Sequence, residues 1–147
     1  MKRFTKFALA LMLSVGFFTV YDNQAEAADG GWYKVTGAGA DCKVRIITDR
    51  TDYPSSIRTV NAQIEASGSC GTIYYHMNLS KGVYSSEQDD VTSGYFSSMT
   101  PVKSLKISPY GHTKTETYYV LAQLYKNSNY TYSLGDIPSA ALTIQPN

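Results

Sequence analysis

The sequence predicts an all-β protein, an antiparallel β-sandwich of about seven to nine short strands. Two observations lead to this prediction. After residue 27, Tyr, Thr, Val and Ile are frequent, and clusters of Ser, Gly, Asn and Asp interrupt them at short intervals. Several segments alternate apolar and polar residues, which is the period of a half-buried strand. No segment after residue 27 has a convincing helical pattern.

The first 27 residues have the organisation of a secretory signal peptide. Lys2, Arg3 and Lys6 precede an apolar stretch over residues 7–20, and Ala25-Glu26-Ala27 forms a small-x-small cleavage site. The apolar stretch is shorter than the roughly 20 residues that a membrane span needs. We therefore expect residues 1–27 to be removed after bacterial-type export. The mature form would be secreted, without a membrane span.

Residues 28–147 are expected to form a single β-sandwich domain, because 120 residues is a typical domain length. The signal holds three of the 13 basic and two of the 12 acidic residues, so ten of each remain. A formally neutral domain without a basic stripe or a run of Lys and Arg does not favour nucleic acid or a membrane surface as partner.

The two cysteines, Cys42 and Cys70, predict one disulfide in an oxidising compartment. Closing a loop of about 29 residues should stabilise the fold by about 3.5 kcal/mol. The alternative, a redox pair or a metal site, lacks support because the chain has no C-x-x-C motif and no histidine at ligand spacing.

In the first half, residues 42–48 alternate as a half-buried strand, and residues 49–56 read as a loop. Residues 57–66 and 72–80 are predicted to form a hairpin around Ser67-Gly68-Ser69. Cys70 would lie at the bend of this hairpin, so the disulfide would fasten the preceding strand to the hairpin tip.

The second half is predicted to contain one loop and five strands. In chain order these are the loop 81–93 and the strands 95–99, 102–107, 115–125, 130–133 and 140–144. Segment 115–125 is apolar on both faces, which is typical of a strand in the middle of its sheet. A helix is the competing interpretation there, but the density of β-branched and aromatic residues favours a strand.

The last thirty residues resemble the final hairpin of immunoglobulin-like and fibronectin type III-like domains. The resemblance consists of the Tyr-rich segment 117–122, a polar turn, Ile137-Pro138 and a closing Leu-Thr-Ile strand. It implies the sandwich architecture and assigns no functional residue. Trp32 does not lie between the cysteines, and their spacing is shorter than that of the bridge in antibody domains.

Catalytic signatures are missing from the sequence. His76 and His112 are the only histidines, no serine lies in G-x-S-x-G, and there is no H-E-x-x-H. Both histidines are interpreted as solvent-facing. The sequence therefore favours a protein that is not an enzyme, and no cofactor is expected.

Acidic residues cluster twice, at Asp49 with Asp52 and at Glu87 with Asp89 and Asp90. Loop carboxylates are potential calcium ligands, although neither cluster has the spacing of a known calcium loop. The ordinary interpretation is that they are solvated, so no metal site is predicted.

Tyrosine is unusually abundant, with twelve residues in the mature domain. Strand alternation places Tyr74, Tyr119 and Tyr125 on outward faces, where Trp32 could extend them into a candidate binding patch. Tyr suits recognition because a rigid apolar ring ends in a polar group. The competing interpretation is that these rings fill the core and support cross-strand pairs.

The first functional hypothesis is a secreted, non-enzymatic β-sandwich that binds an extracellular polysaccharide or protein. The alternative is a small secreted effector, an inhibitor or a toxin, acting through loop 49–56 or loop 81–93. A secreted hydrolase ranks third.

Overall fold

The computed structural model describes residues 27–83, 88–108 and 113–146 and confirms the all-β prediction. These residues form eleven strands, three of them only two residues long. In chain order the strands are β1 (Ala28–Asp29), β2 (Tyr33–Lys34), β3 (Lys43–Thr48), β4 (Asp52–Tyr53), β5 (Thr59–Ser67), β6 (Ile73–Ser80), β7 (Gln88–Phe96), β8 (Lys103–Lys106), β9 (Glu116–Tyr125), β10 (Ser133–Pro138) and β11 (Leu142–Ile144).

The strands form two sheets. The first has the order β1-β3-β5-β8, with β2 also pairing with β3. The second has the order β4-β11-β9-β6-β7, with β10 beside β9. All pairs are antiparallel except β4 with β11. Strand β9 lies in the middle of the second sheet, as its two apolar faces predict.

The core lies between the sheets and is built mainly from alternate residues of β3, β5, β6 and β9. In the first sheet Ile46 and Ile64 face each other across β3 and β5, and both are fully buried. In the second sheet the inward residues are those that the alternation assigned to the core, and all are buried: Ile73, Tyr75, Met77, Leu79, Tyr118, Val120, Ala122 and Leu124. The outward residues of β6 and β9 lie on the opposite face of this sheet.

The predicted hairpin between residues 57–66 and 72–80 is wrong. Strand β5 pairs with β3 and β8 in the first sheet, whereas β6 pairs with β7 and β9 in the second. The segment between them crosses from one layer to the other. Gly68, at φ 86°, is needed there because a Cβ would lie 2.3 Å from the Asp41 carbonyl oxygen.

The prediction of a loop over residues 81–93 is wrong from Gln88 onward, where β7 begins and pairs with β6 along nearly its whole length. This strand is at the edge of the sheet and has few apolar residues, so it lacks the hydrophobic signal of a buried strand. Two boundaries also differ from the prediction: β4 interrupts the predicted loop 49–56, and β10 begins at Ser133, where the predicted strand ended.

Cys42 and Cys70 form a disulfide with their Cα atoms 4.8 Å apart. The bond joins the start of β3 to the crossover between the sheets. Two backbone hydrogen bonds reinforce this junction, from Ser69 N to the Ala40 carbonyl and from Gly71 N to the Ala38 carbonyl. The disulfide thus fastens the crossover to the first sheet.

The expected signal segment lies outside the described residues, apart from Ala27. Within the described part of the chain, no helix is long and apolar enough to cross a membrane.

Candidate binding site on the second sheet

The outer face of the second sheet brings five ring side chains together: Tyr74, His76, Tyr95, Tyr125 and Tyr130. We refer to them as the aromatic cluster. Tyr74 on β6 lies directly opposite Tyr125 on β9 and Tyr95 on β7. Because directly opposed residues share one face of a sheet and lie about 5 Å apart, these three rings become neighbours.

Edge-to-face and tilted contacts connect the rings. The ring centroids of Tyr74 and Tyr95 are 5.9 Å apart, and those of His76 and Tyr125 are 5.6 Å apart. Tyr130 lies over the middle, at 4.0 Å from His76, 5.3 Å from Tyr125 and 6.4 Å from Tyr74. Such geometries are favourable for aromatic pairs beyond the area that they bury, so the rings support one another in fixed positions.

Tyr130 reaches the cluster from the turn between β9 and β10. Its φ of 55° is in the left-handed region, which is uncommon for a bulky residue. Asn127 stabilises the turn, since its Oδ1 accepts hydrogen bonds from the backbone N–H groups of Thr131 and Tyr132, each at 3.1 Å. The turn thereby places the Tyr130 ring over β6 and β9.

Exposure differs across the cluster. Tyr95 is 70% exposed at the edge of the sheet, whereas Tyr74, His76, Tyr125 and Tyr130 are half-buried. The interpretation of His76 as a solvent-facing imidazole is wrong, because the neighbouring tyrosines cover it. Its Nε2 atom is buried and has no hydrogen-bond partner among the described residues. The cluster therefore presents one accessible ring supported by a packed base.

A groove of about 480 Å³ continues the same face beyond the cluster. Asn78 and Leu121, directly opposite each other on β6 and β9, line it together with Gln123 and Asp136, which are opposite each other on β9 and β10. Tyr33 lines it from the N-terminal segment. His76 lies opposite Gln123, so the cluster and the groove form one continuous surface.

Of the four aromatic residues singled out from the sequence, the structure brings together Tyr74 and Tyr125. Tyr119 lies opposite Ser80, at the other end of β9. It lies six positions before Tyr125 along the strand, a distance of about 20 Å. Trp32 lies between β1 and β2, against the other sheet, with its ring centroid 4.5 Å from the Arg45 guanidinium.

Arg45 and Trp32 form part of a polar network on the outer face of the first sheet. Arg45 donates to Glu65 at 2.7 Å and also pairs with Asp29. The hydrogen bond to Glu65 raises the pKa of Arg45, with smaller contributions from both carboxylates' charges. The Trp32 ring packs on Arg45 in this network. This contact explains the position of the ring without a ligand.

Asp49 and Asp90, two of the acidic residues considered as calcium ligands, accept hydrogen bonds within the fold. Asp49 accepts from the Tyr53 hydroxyl at 2.6 Å and from Asn61 N at 3.1 Å. Asp90 accepts from the backbone N–H of Lys106 on β8, at 2.8 Å. Within the described ranges no group of three or more potential metal ligands occurs. Glu87 and His112 lie outside those ranges.

Sequence comparison assigns the chain to a family. Residues 25–145 match the family described as YqgA MG2 macroglobulin domain. The chain is also 39% identical over 103 residues to the cell wall-binding protein YqgA of Bacillus subtilis (strain 168), a match that covers 68% of this chain and 70% of that protein. No solved structure matches. The macroglobulin description agrees with an immunoglobulin-like β-sandwich, and the chain belongs to the YqgA MG2 macroglobulin domain family.

Proposed function

We propose that the protein is exported, is not an enzyme and binds polysaccharide of the bacterial cell wall. The aromatic cluster on the second sheet would be its contact surface. The observation that supports this most strongly is the ring set itself: an exposed Tyr95 beside four rings already packed in place. The Bacillus subtilis relative is a cell wall-binding protein by name, which supports the same class of partner.

The cluster has the chemistry that a sugar surface requires. The C–H faces of a pyranose ring are apolar and stack on aromatic rings, while the hydroxyls around its edge can bond to tyrosine O–H groups. The rings are positioned by strand backbone and by mutual contacts, so little side-chain freedom remains to be lost on binding. A ligand would therefore meet a surface that is already formed.

The size of the surface favours a polysaccharide over a protein partner. A standard protein interface buries about 800 Å² on each side. Here a single strongly exposed ring projects from a base of half-buried rings. A narrow strip of this kind fits an extended polymer, which gains affinity by repeating the same contact along its length.

Co-sedimentation with isolated cell walls tests the proposal. Tyr95→Ala should weaken binding by about tenfold, equivalent to about 1.4 kcal/mol. Trp32→Ala is the matched control, because Trp32 is 42% exposed on the opposite sheet. Equal losses in both variants, or no loss in Tyr95→Ala, would contradict the proposal.

A second arm of the same experiment identifies the wall component that the protein binds. Walls stripped of protein by protease should retain full binding, and walls digested by a glycan hydrolase should lose it. The reverse pattern would replace the polysaccharide with a wall protein as the partner. Urea unfolding of each variant tests whether a loss of binding reflects a loss of fold.

A further inference from the structure

One buried polar atom on the second sheet has no partner. Asn78 on β6 is only 3% exposed, yet its side chain is on the outer face, and its Oδ1 has no hydrogen-bond partner among the described residues. A buried acceptor without a partner lowers stability, and native proteins contain few of them. Asn78 also lines the groove beside the aromatic cluster, so this unpaired acceptor belongs to a residue in the wall of a cavity.

The groove has a recognisable chemistry. Leu121 and Pro138, opposite each other on β9 and β10, give it an apolar side. Gln88, Gln123 and Asp136 add amide and carboxylate groups. Its volume, about 480 Å³, is within the range of about 300–1,000 Å³ for small-molecule sites. A mostly apolar lining with a few placed polar groups is the usual design of such sites.

The charge of the groove limits the kinds of ligand that it can bind. None of the described residues that line it is Lys or Arg, and Asp136 is its acidic member. An anionic polymer, such as one linked by phosphates, would meet a carboxylate without a compensating cation. Asn78 Oδ1 and the Asp136 carboxylate are acceptors and need hydrogen-bond donors. An uncharged sugar that offers hydroxyl or amide N–H groups satisfies both.

We propose that this groove is a subsite for one unit of a neutral polysaccharide that contains N-acetylated sugars. Asn78 Oδ1 would accept a hydrogen bond from the acetamido N–H, and the acetyl methyl would contact Leu121. This inference rests on the proposed function, because it places the next sugar of a chain that stacks on the aromatic cluster. The strand register supports the path, since His76 in the cluster lies opposite Gln123 in the groove.

Titration calorimetry with a tetrasaccharide of N-acetylglucosamine tests the subsite, with a polyglycerol phosphate as the anionic comparison. The wild-type protein should bind the tetrasaccharide, with an affinity that is nearly independent of salt. Asn78→Leu should weaken this binding at least tenfold, while its unfolding temperature stays equal or rises because the unpaired acceptor is gone. Thr117→Val is the matched control: Thr117 is exposed on the same face of β9, outside the groove.

Asp136→Lys separates the two kinds of ligand. If the ligand is neutral, this variant loses affinity for the tetrasaccharide and gains little for the polyanion. Strong, salt-sensitive binding of the polyanion by the wild type would overturn the inference. So would full tetrasaccharide binding by Asn78→Leu.

Wall binding that depends on Tyr95 but not on Asn78, with no affinity for the tetrasaccharide, would overturn the subsite and leave the proposed function intact. The absence of binding to both walls and tetrasaccharide would overturn both proposals.

Discussion

The rings of His76 and Tyr130 meet edge to face, with their centroids 4.0 Å apart and their planes at 74°. His76 belongs to a central strand of the second sheet and Tyr130 to a surface turn. The contact therefore fastens the turn to the sheet, and it closes one side of the aromatic cluster. The ring contacts that join Tyr74 to Tyr125 through Tyr130 depend on the same residue.

Replacing Tyr130 by Asn should weaken wall binding about three- to tenfold, which corresponds to about 0.7–1.4 kcal/mol. Asn removes the ring but tolerates the left-handed backbone that Tyr130 adopts. Relief of backbone strain should offset part of the lost ring contacts, so we expect the free energy of unfolding to change by about 1 kcal/mol or less. Tyr132→Ala is the control, since Tyr132 is 55% exposed in the same turn and contacts Lys126 instead. Equal binding by wild type and Tyr130→Asn would exclude Tyr130 from the site.

Cys42→Ser should lower the free energy of unfolding by about 2–5 kcal/mol, because it opens the loop that the disulfide closes. Urea unfolding measures the loss. A reductant should destabilise the wild-type protein by a similar amount and leave the variant unchanged. Labelling of both cysteines by a thiol reagent in the native, unreduced protein would show that the bond is not formed.

Alkaline pH should destabilise the fold through Tyr53. Burial, together with its hydrogen bond to Asp49, raises the pKa of Tyr53 well above its ordinary value near 10. Above about pH 10 the unfolded chain releases this proton while the folded chain retains it, so stability falls as pH rises, by up to about 1.4 kcal/mol per pH unit.

Urea unfolding at about pH 8 and about pH 11 measures this effect, with Tyr53→Phe as the comparison. The variant should be less stable at neutral pH by about 1.5–3 kcal/mol, because a buried hydrogen bond to a carboxylate is lost. Its stability should then fall less steeply with pH. A steeper fall in the variant would refute the role of Tyr53.

Export should remove the signal segment. Intact-mass measurement of secreted protein is expected to give a chain that begins at Ala28 or within one or two residues of it. Ala28 is the first residue of β1 and pairs with Thr48. Secreted protein that retains Met1 would contradict the expected cleavage.

Alternation along single strands predicted much of this fold. It assigned the inward and outward faces of β6 and β9 correctly, because a half-buried strand shows its period locally. It could not identify the pairing partners of β5, since a short polar connection looks alike whether the chain turns back or crosses to the other sheet. The predicted strand 95–99 overlaps only the end of β7. The rest of β7 escaped prediction because an edge strand with polar residues on both faces has little hydrophobic signal.

The candidate site was predictable only in part, because the positions of its residues also depend on how the strands pair. Tyr74 and Tyr125 follow from alternation and from the pairing of β6 with β9. Tyr119 is on the same face but lies opposite Ser80 and not opposite Tyr74. Which residues stand opposite each other depends on the register between two strands and not on the alternation within one strand. Tyr130 was missed because its place depends on a left-handed turn residue, although the preceding Asn-Ser-Asn sequence does mark a turn.

The most direct test of the account is the affinity of Tyr95→Ala for isolated, protease-treated cell walls, measured beside Trp32→Ala by co-sedimentation. Tyr95→Ala should lose about tenfold in affinity with its unfolding midpoint unchanged, and Trp32→Ala should bind as the wild type does. Wild-type affinity in Tyr95→Ala would contradict the assignment of the aromatic cluster as the binding surface.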